Sequence, residues 1–257
     1  MDRDRKSMPV VFVGHGSPMN AIEDNKASRE WRRIGKEIGK PKAIIAISAH
    51  WMSEGRKVRT SVDNPQIYDM YGFPEELYQL KYAPPNSPYY AKRILELAPE
   101  CKADESWGID HGVWSVLCNM YPDDDIPVVM VSTDLASSEK EQFELGKRLQ
   151  PLREEGALII ASGNVVHNLR MIGWNVDGGY DWARDFDSSI KIAIEKKDFS
   201  IPTDYRKLEG SELSVPTPEH YFPLLTALGA TKEDDEVSIF NDYLEMGSLS
   251  MTSYLFK

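Results

Sequence analysis

Cysteine is scarce in this chain of 257 residues, which contains only Cys101 and Cys118. The two lie far apart and form no CxxC pair, so we expect reduced thiols rather than a disulfide framework. No apolar stretch approaches the roughly 20 residues that a membrane-spanning helix needs. The first residues, MDRDRKSM, are charged and lack the apolar region of a signal peptide, which predicts a cytoplasmic protein.

Positive charge is also in short supply. The chain has 30 Lys and Arg residues against 41 Asp and Glu residues, a formal net charge of -11. This excess of negative charge disfavours nucleic acids and anionic membranes as partners. Hydrophobic residues make up 41% of the chain and charged residues 28%, as is typical of folded soluble proteins. We therefore expect an enzyme or binding protein for small molecules, either a monomer or a small homo-oligomer.

Nucleotide-binding motifs are missing from the glycine-bearing stretch VVFVGHGSPMN, residues 10–20. It lacks the Lys-Ser/Thr pair of a P-loop, and Met19 stands where a dinucleotide fingerprint needs its third glycine. The histidine between two glycines therefore has two interpretations. It is part of a tight turn, or it is a metal ligand whose glycine neighbours let the backbone swing the imidazole into a pocket. The stretch alone leaves both open.

Apolar runs alternate with helical patterns along the chain. Runs rich in Ile and Val predict strands at residues 9–13, 43–49, 57–62, 127–132, 157–162 and 237–240. Apolar residues at helical spacing predict helices at residues 27–38, 89–97, 113–120, 139–152 and 182–196. This alternation predicts one α/β domain over residues 1–257, with a largely parallel central sheet flanked by helices. Residues 64–87 and 199–218 interrupt the pattern and predict long loops over one edge of the sheet.

The positions of the five histidines are the strongest functional signal. His15 follows the run VVFVG, His50 follows AIIAISA, and His167 follows ALIIASGNVV. In an open parallel sheet, the loops beyond the carboxyl ends of the strands line the ligand crevice, so we expect these three side chains to converge in an active site there. His111 in WGIDHGVW and His220 in PTPEHYFPLL each stand at the start of a helical run.

Convergent histidines indicate a particular class of metal. Imidazole is the commonest metal ligand in proteins and binds through a neutral ring nitrogen. Three or four such ligands suit Zn, Fe, Cu or Ni far better than Mg or Ca, which prefer oxygen. Because no cysteine lies near a histidine in the sequence, the pattern favours an open catalytic site over a structural zinc site.

Five ordered motifs give the chain a family resemblance. They are GHGSPMNA, ISAHW, DHGVW, SGNVVHNL and TPEHYFPLL, and EMGSLSM follows them. The set resembles the type III extradiol dioxygenases related to the catalytic subunit of protocatechuate 4,5-dioxygenase, and within them the DOPA 4,5-extradiol dioxygenase branch of plants and bacteria. The resemblance runs from Pro9 to the end of the sequence. It implies an oxidoreductase that opens the ring of a small DOPA-like catechol with O2 at one non-haem divalent metal ion, Zn or Fe(II).

The resemblance also implies a role for each histidine. His15 and His50 match the first two metal ligands. His220 stands where the protocatechuate branch has a glutamate ligand, and the DOPA-like branch is similar to this sequence in having a histidine there. His167 matches the active-site acid or base, and it is also a candidate fourth ligand in a zinc-loaded protein. His111 matches a second active-site histidine that contacts substrate or oxygen.

Two other functions are compatible with the same residues. A zinc-dependent hydrolase would use the same histidines, with Glu219 or His167 as the base beside a metal-bound water. A non-catalytic binding module would keep the pocket without the reaction, since fold does not fix function. Next to His111, Asp110 is either a carboxylate that orients an imidazole or a helix N-cap.

Overall fold

The computed structural model describes residues 7–257. Most of the charged start of the sequence, on which the prediction of no signal peptide depends, lies in residues 1–6 and thus outside the described residues. Within the described part, the strands in chain order are β1 Val10–Gly14, β2 Ala43–Ser53, β3 Lys57–Arg59, β4 Lys102–Asp104, β5 Val128–Asp134, β6 Ala157–Gly163, β7 Val237–Phe240, β8 Leu244–Glu245, β9 Leu249–Ser250 and β10 Ser253–Phe256.

Helices connect most of these strands. The α-helices in chain order are α1 Lys26–Ile38, α2 Glu75–Gln79, α3 Pro88–Leu97, α4 His111–Met120, α5 Glu139–Leu149, α6 Pro151–Glu154, α7 Asp181–Glu195, α8 Ser200–Thr203, α9 Ser211–Ser214 and α10 Phe222–Gly229. Short 3-10 turns lie at Pro18–Ala21, Leu169–Met171 and Tyr205–Lys207. Between residues 7 and 257, no helix has both the length and the apolar character needed to cross a bilayer.

The main sheet has eight strands in the order β4-β3-β5-β2-β6-β1-β10-β7. The four central strands, β5, β2, β6 and β1, are mutually parallel, whereas β10 is antiparallel to both β1 and β7. Every residue of β1, β5 and β6 is buried, as expected for continuous apolar runs in a sheet covered on both faces. The predicted α/β fold with a mostly parallel central sheet is therefore confirmed.

Alternate side chains of each strand pack into two separate cores, one on each face of the sheet. Val11 of β1 belongs to the core that contains Trp31 of α1 and Trp114 of α4. Phe12, the next residue, belongs to the core that contains Phe186 of α7 and Leu225 of α10. This alternation is the period of two that a strand imposes, and it fixes which helices cover which face.

The structure differs from the sequence predictions at several elements. The helix predicted at residues 139–152 is two helices, because Pro151 has no N–H to continue α5 and instead begins α6. The predicted loops contain short helices: α2 lies within residues 64–87, and α8 and α9 lie within residues 199–218. The sequence patterns also missed the short strands β4, β8, β9 and β10.

A buried ion pair lies near the amino-terminal ends of β1 and β6. The side chain of Arg153 is fully buried, and its two terminal nitrogens donate to the carboxylate of Asp235 at 2.7 and 2.8 Å. Arg153 Nε also donates to the Met8 carbonyl at 2.6 Å, and Nη1 donates to the Ala230 carbonyl at 3.0 Å. The guanidinium thus ties the segment before β1 to the segment between α10 and β7.

Candidate active site

The five histidines form one cluster on the carboxyl-terminal side of the parallel strands. The ring centroids of His15 and His50 are 5.0 Å apart, and that of His111 is 4.0 Å from that of His50. The His220 ring lies 5.3 Å from the His15 ring and 5.1 Å from the His50 ring. The His167 ring stacks on the His220 ring at 3.5 Å, with only 7° between their planes. The chain therefore brings together all the histidines that the sequence analysis selected.

His15 follows β1 directly, and its neighbours explain why it stands between glycines. The His15 N–H donates to the Gly163 carbonyl at 3.1 Å, which continues the parallel pairing of β1 with β6. Gly16 has a φ of +59°, and a Cβ at that position would lie 2.5 Å from the sulfur of Met251. A side chain at Gly16 would therefore be both strained and obstructed, and the tight turn aims His15 into the cluster.

His50 lies inside β2, not beyond its end as the sequence predicted. The register of β2 against β5 shifts between Ser48 and Met52, so His50 sits at an irregularity of the strand. Its backbone N–H donates to the side-chain oxygen of Ser48 at 3.1 Å instead of continuing the strand ladder. A bulge of this kind re-aims a side chain, and here it turns the imidazole toward the other histidines.

His220 and His167 are held against the end of β6. A Cβ at Gly163 would lie 2.1 Å from the His220 carbonyl oxygen, so only glycine permits this backbone approach. The Asn164 N–H donates to the same carbonyl at 2.9 Å. The His167 N–H donates to the Ser214 carbonyl at 2.9 Å, which fastens His167 to the segment that leads toward His220.

The hydrogen bonds of Nδ1 identify the tautomer of His15. Its Nδ1 lies 3.0 Å from the hydroxyl oxygen of Ser162. That hydroxyl donates its own proton to the Gly112 carbonyl, so toward His15 it acts as the acceptor. His15 Nδ1 therefore carries the proton, and Nε2 keeps its lone pair.

His50 and His220 follow the same rule with carboxylate partners. His50 Nδ1 lies 3.3 Å from Oδ2 of Asp69, and His220 Nδ1 lies 3.3 Å from Oε1 of Glu219. The His220 contact is a hydrogen bond, and because an ionised carboxylate accepts and cannot donate, Nδ1 of His220 carries the proton. The His50 contact is an ion-pair contact, and the nearby negative charge favours the proton on Nδ1 there as well. In each of these rings, Nε2 is again the nitrogen with a free lone pair.

The free Nε2 atoms face one another without a proton to share. Nε2 of His15 and Nε2 of His50 are 3.1 Å apart. Nε2 of His220 is buried and has no hydrogen-bond partner within residues 7–257. Buried lone pairs without a donor are unfavourable, and a divalent cation bound by these nitrogens would satisfy them. The donor set fits a metal that prefers imidazole nitrogen.

Burial keeps these imidazoles neutral. Desolvation lowers the pKa of His15 and of His220 well below the usual value, and the neighbouring histidines lower both further. Burial also lowers the pKa of His50 to about 3 and that of His167 to about 4. At neutral pH, all four rings therefore offer lone pairs rather than positive charge, which is the form that binds metal.

The potential metal-binding atoms fall into two neighbouring groups. The first is His15, His50 and His111, and the second is His167, Glu219 and His220, with the ligand atoms of each group within 4.8 Å of one another. The ligand set implied by the family resemblance, His15, His50 and His220 with His167, draws on both groups. The cluster can thus hold a metal, and the role of each histidine stays a prediction.

Asp110 is the N-cap residue of α4, one of the two roles that the sequence suggested, but its side chain takes no part in the cap. Its carboxylate accepts hydrogen bonds from the Ser48 hydroxyl at 2.7 Å and from Trp107 Nε1 at 3.0 Å. It therefore bonds neither to an imidazole nor, as a side-chain cap, to the first N–H groups of α4. Since Ser48 also receives the His50 N–H, Asp110 supports the bulge that carries His50. Burial raises the pKa of Asp110 to about 6.

Sequence reasoning missed two residues that contact the imidazoles. Ser162 was the last residue of a predicted strand, so its position at a strand end was an available signal. Asp69 lies in the stretch predicted as a long loop, where no periodicity or motif distinguished it. Its carboxylate lies 2.9 Å from Nδ1 of His111 and 3.3 Å from Nδ1 of His50.

The chain is similar to known proteins over almost its whole length. The family described as the catalytic LigB subunit of aromatic ring-opening dioxygenase matches residues 8–257. A protein of Escherichia coli (strain K12) named 4,5-DOPA dioxygenase extradiol is 44% identical over 96% of this chain and 93% of its own length. A protein of Beta vulgaris with the same name is 37% identical, over 96% of each chain. The crystal structure of an uncharacterized protein from Escherichia coli K12 is similar with a TM-score of 0.85 at 41% identity, covering 97% of this chain and 100% of that one.

Proposed function

Because this chain belongs to the family of catalytic LigB subunits of aromatic ring-opening dioxygenases, we propose that its histidine cluster is the metal centre at which a DOPA-like catechol is opened by O2. The protein is an enzyme of the dioxygenase type, and the resemblance stated from its motifs is confirmed. The observation that carries the proposal for the site is the 3.1 Å approach of Nε2 of His15 to Nε2 of His50, next to a His220 ring whose buried Nε2 has no hydrogen-bond partner within residues 7–257.

We assign His15, His50 and His220 as the ligands of one divalent ion, Zn or Fe(II). The support is chemical: all three rings are neutral, and each presents Nε2 because Nδ1 is bonded elsewhere. An ion held there would supply Lewis acidity toward the catechol oxygens and, as Fe(II), a redox link to O2 that Zn lacks. His167, stacked on His220, is either the active-site base or a fourth ligand.

The remaining histidines would move protons. A catechol loses its hydroxyl protons as its ring is opened, and a neutral imidazole beside one hydroxyl can accept such a proton. Burial lowers the pKa of His167 to about 4, so its ring is neutral at physiological pH and has a lone pair that can accept a proton. His111 bonds to Asp69 through Nδ1, so its Nε2 is the atom available to substrate or oxygen.

The proposed substrate is a small catechol related to DOPA. Its support is the name that relatives from Escherichia coli and Beta vulgaris share, 4,5-DOPA dioxygenase extradiol. The net charge of -11 supports the further proposal that neither nucleic acids nor anionic membranes are partners. We also propose that the protein works in the cytoplasm as a monomer or small homo-oligomer.

The test compares metals on a single protein batch. Protein stripped with a chelator is reloaded anaerobically with Fe(II) or with Zn, L-DOPA is added, and air is admitted while O2 uptake and the yellow ring-opened product are followed. We expect uptake with Fe(II) and none with Zn, because zinc cannot carry the electrons. A His15→Ala variant serves as the control without an intact ligand set. Equal turnover with Zn in the absence of O2 would favour the hydrolase, and no turnover with either metal across a catechol panel would favour the binding module.

A further inference from the structure

We propose that Asp69 is a positioning residue that fixes the rings of His50 and His111 together, with Nδ1 protonated and Nε2 free in both. The inference rests on the proposed function, because it assigns one of these rings to the metal and the other to the substrate. It concerns a residue from a stretch that the sequence marked only as a long loop.

The contacts of the Asp69 carboxylate are all with donors. Oδ1 accepts the backbone N–H of His111 at 2.8 Å. Oδ2 accepts a hydrogen bond from Nδ1 of His111 at 2.9 Å and lies within ion-pair distance of Nδ1 of His50, at 3.3 Å, so a single oxygen faces both rings. The carboxyl group is 13% exposed, and it is therefore largely withdrawn from water that would compete for these bonds. A carboxylate accepts and does not donate, which matches three donors around it.

The loop that carries Asp69 is fastened to the start of α4. The Ile67 N–H donates to the Ile109 carbonyl at 2.7 Å, and the Ile109 N–H donates to the Pro65 carbonyl at 2.8 Å. Trp114 Nε1 donates to the Ile67 carbonyl at 2.9 Å. These bonds hold the backbone just before Asp69, at Pro65 and Ile67, in register with the residues that lead into His111. The carboxylate is therefore presented by a fixed segment.

Because Oδ2 faces both rings, the Asp69 carboxylate can influence the tautomers of His50 and His111 together. The His50 and His111 ring centroids are only 4.0 Å apart, and a neutral imidazole has two tautomers of similar energy. A partner that accepts at Nδ1 selects the tautomer whose Nε2 is free. Without Asp69, either ring is free to place its proton on Nε2, where it would block metal binding at His50 and change the atom that His111 offers to substrate.

Asp69→Asn is the sharpest variant, because it keeps the size of the side chain and replaces one acceptor by a donor. If the amide oxygen stays on the His111 backbone N–H, the NH2 group faces both Nδ1 atoms and favours the Nε2–H tautomer. Asp63→Asn is the matched control, since Asp63 is exposed, lies one residue before the same stretch and loses the same charge. Asp69→Glu keeps the acceptor and tests rescue.

The first readout is the tautomer of the histidines in metal-free protein, from two-bond ¹H–¹⁵N NMR spectra. Five histidines give a simple spectrum, and His50→Gln and His111→Gln variants assign the two signals. We expect Nδ1–H for both rings in the wild type and in Asp63→Asn, and Nε2–H for at least His111 in Asp69→Asn. Asp69→Glu should return toward the wild-type pattern.

The second readout is metal affinity and turnover. We expect Asp69→Asn to weaken zinc binding and to lower kcat with DOPA by about 10- to 100-fold each, the usual range for a partner of a metal ligand. Wild-type tautomers in a folded Asp69→Asn variant, or an unchanged kcat despite a changed tautomer, would overturn the proposal. So would an equal loss in Asp63→Asn. If the wild type turns over no catechol, the proposed function fails, while the metal-free spectra still decide the role of Asp69.

Discussion

The two ends of the parallel strands carry buried polar clusters of opposite character. Near the amino-terminal ends, Arg153 donates to Asp235, Met8 and Ala230, and each of its nitrogens has a partner. At the carboxyl ends, Nδ1 of His15, His111 and His220 is hydrogen-bonded, whereas the buried Nε2 of His220 has no partner among residues 7–257. A saturated cluster has nothing to offer a ligand and holds segments together. An unsaturated one costs stability in the empty protein, and that free energy is recovered when a ligand binds.

The largest effect on metal binding and turnover is expected from His50→Ala, which alters the unsaturated histidine cluster. We expect metal content and catechol turnover to fall to background, because one of three proposed ligands is gone. The unfolding midpoint of metal-free protein should change little, since the His50 side chain is 19% exposed and its Nε2 faces another nitrogen. Metal analysis, O2 uptake and thermal melts of chelator-treated protein check this. A large drop in the metal-free midpoint would show that the ring has a structural role instead.

Arg153→Met should act in the opposite way. It leaves the Asp235 carboxylate buried without its counter-charge, so we expect a loss of about 3–5 kcal/mol in the free energy of unfolding. Zinc bound per folded molecule should stay the same, because the ion pair is remote from the ligands. Urea titration gives the first quantity and metal analysis the second. In the double variant Arg153→Met/Asp235→Leu, most of the stability should return, since no charge is left unpaired.

Asp187 is an intermediate case, a buried carboxylate with hydrogen-bond partners but no ion pair among residues 7–257. It accepts from the Ser250 hydroxyl at 2.5 Å and from the Thr252 hydroxyl at 3.0 Å, and burial raises its pKa from 3.8 to about 6. Between these values the folded protein binds a proton that the unfolded chain does not. Lowering the pH from 7 to 4 should therefore stabilise the wild type relative to Asp187→Asn, by up to about 3 kcal/mol. Urea titrations of both proteins across this range measure the difference, in which histidine protonation cancels; a flat difference would contradict the prediction.

The smallest expected effect comes from Ser162→Ala. The variant removes the acceptor of the His15 Nδ1 proton, so the ring is no longer held with Nε2 inward, and zinc affinity should fall by about 10- to 100-fold. Ser115→Ala is a matched control, because Ser115 is also buried and its hydroxyl has no partner among residues 7–257. Competition with a chromogenic chelator measures both affinities. Equal losses in the two variants would rule out a specific role for the Ser162 hydroxyl.

The sequence predicted those parts of the molecule that depend on local pattern. β1, β5 and β6 are continuous apolar runs, and their burial on both faces follows from that composition. The placement of His15 after β1 was equally readable. The bulge at His50 was not, because Asp110 stabilises it through Ser48 from a distant part of the chain.

The contacts that orient the imidazoles could not be predicted from the sequence for the same reason. Asp69 meets a histidine 42 residues away, and Ser162 meets one 147 residues away. Nothing in the local sequence around either residue records such a partner. The positions of predicted strand ends indicate which histidines lie close together. The orientation of each ring depends on hydrogen-bond acceptors from other elements of the fold.

The position of β1 between β6 and β10 has a consequence for how the protein is made. β1 is the first of the described strands in chain order, yet both of its neighbours in the sheet are synthesised much later. About 200 residues separate His15 from His220, and at about 5–20 residues per second their synthesis takes about 10–40 s. During that time the nascent chain carries His15 and His50 without His220, the third ligand of the proposed set. On that assignment, a metal ion meets the complete ligand set only in the finished fold.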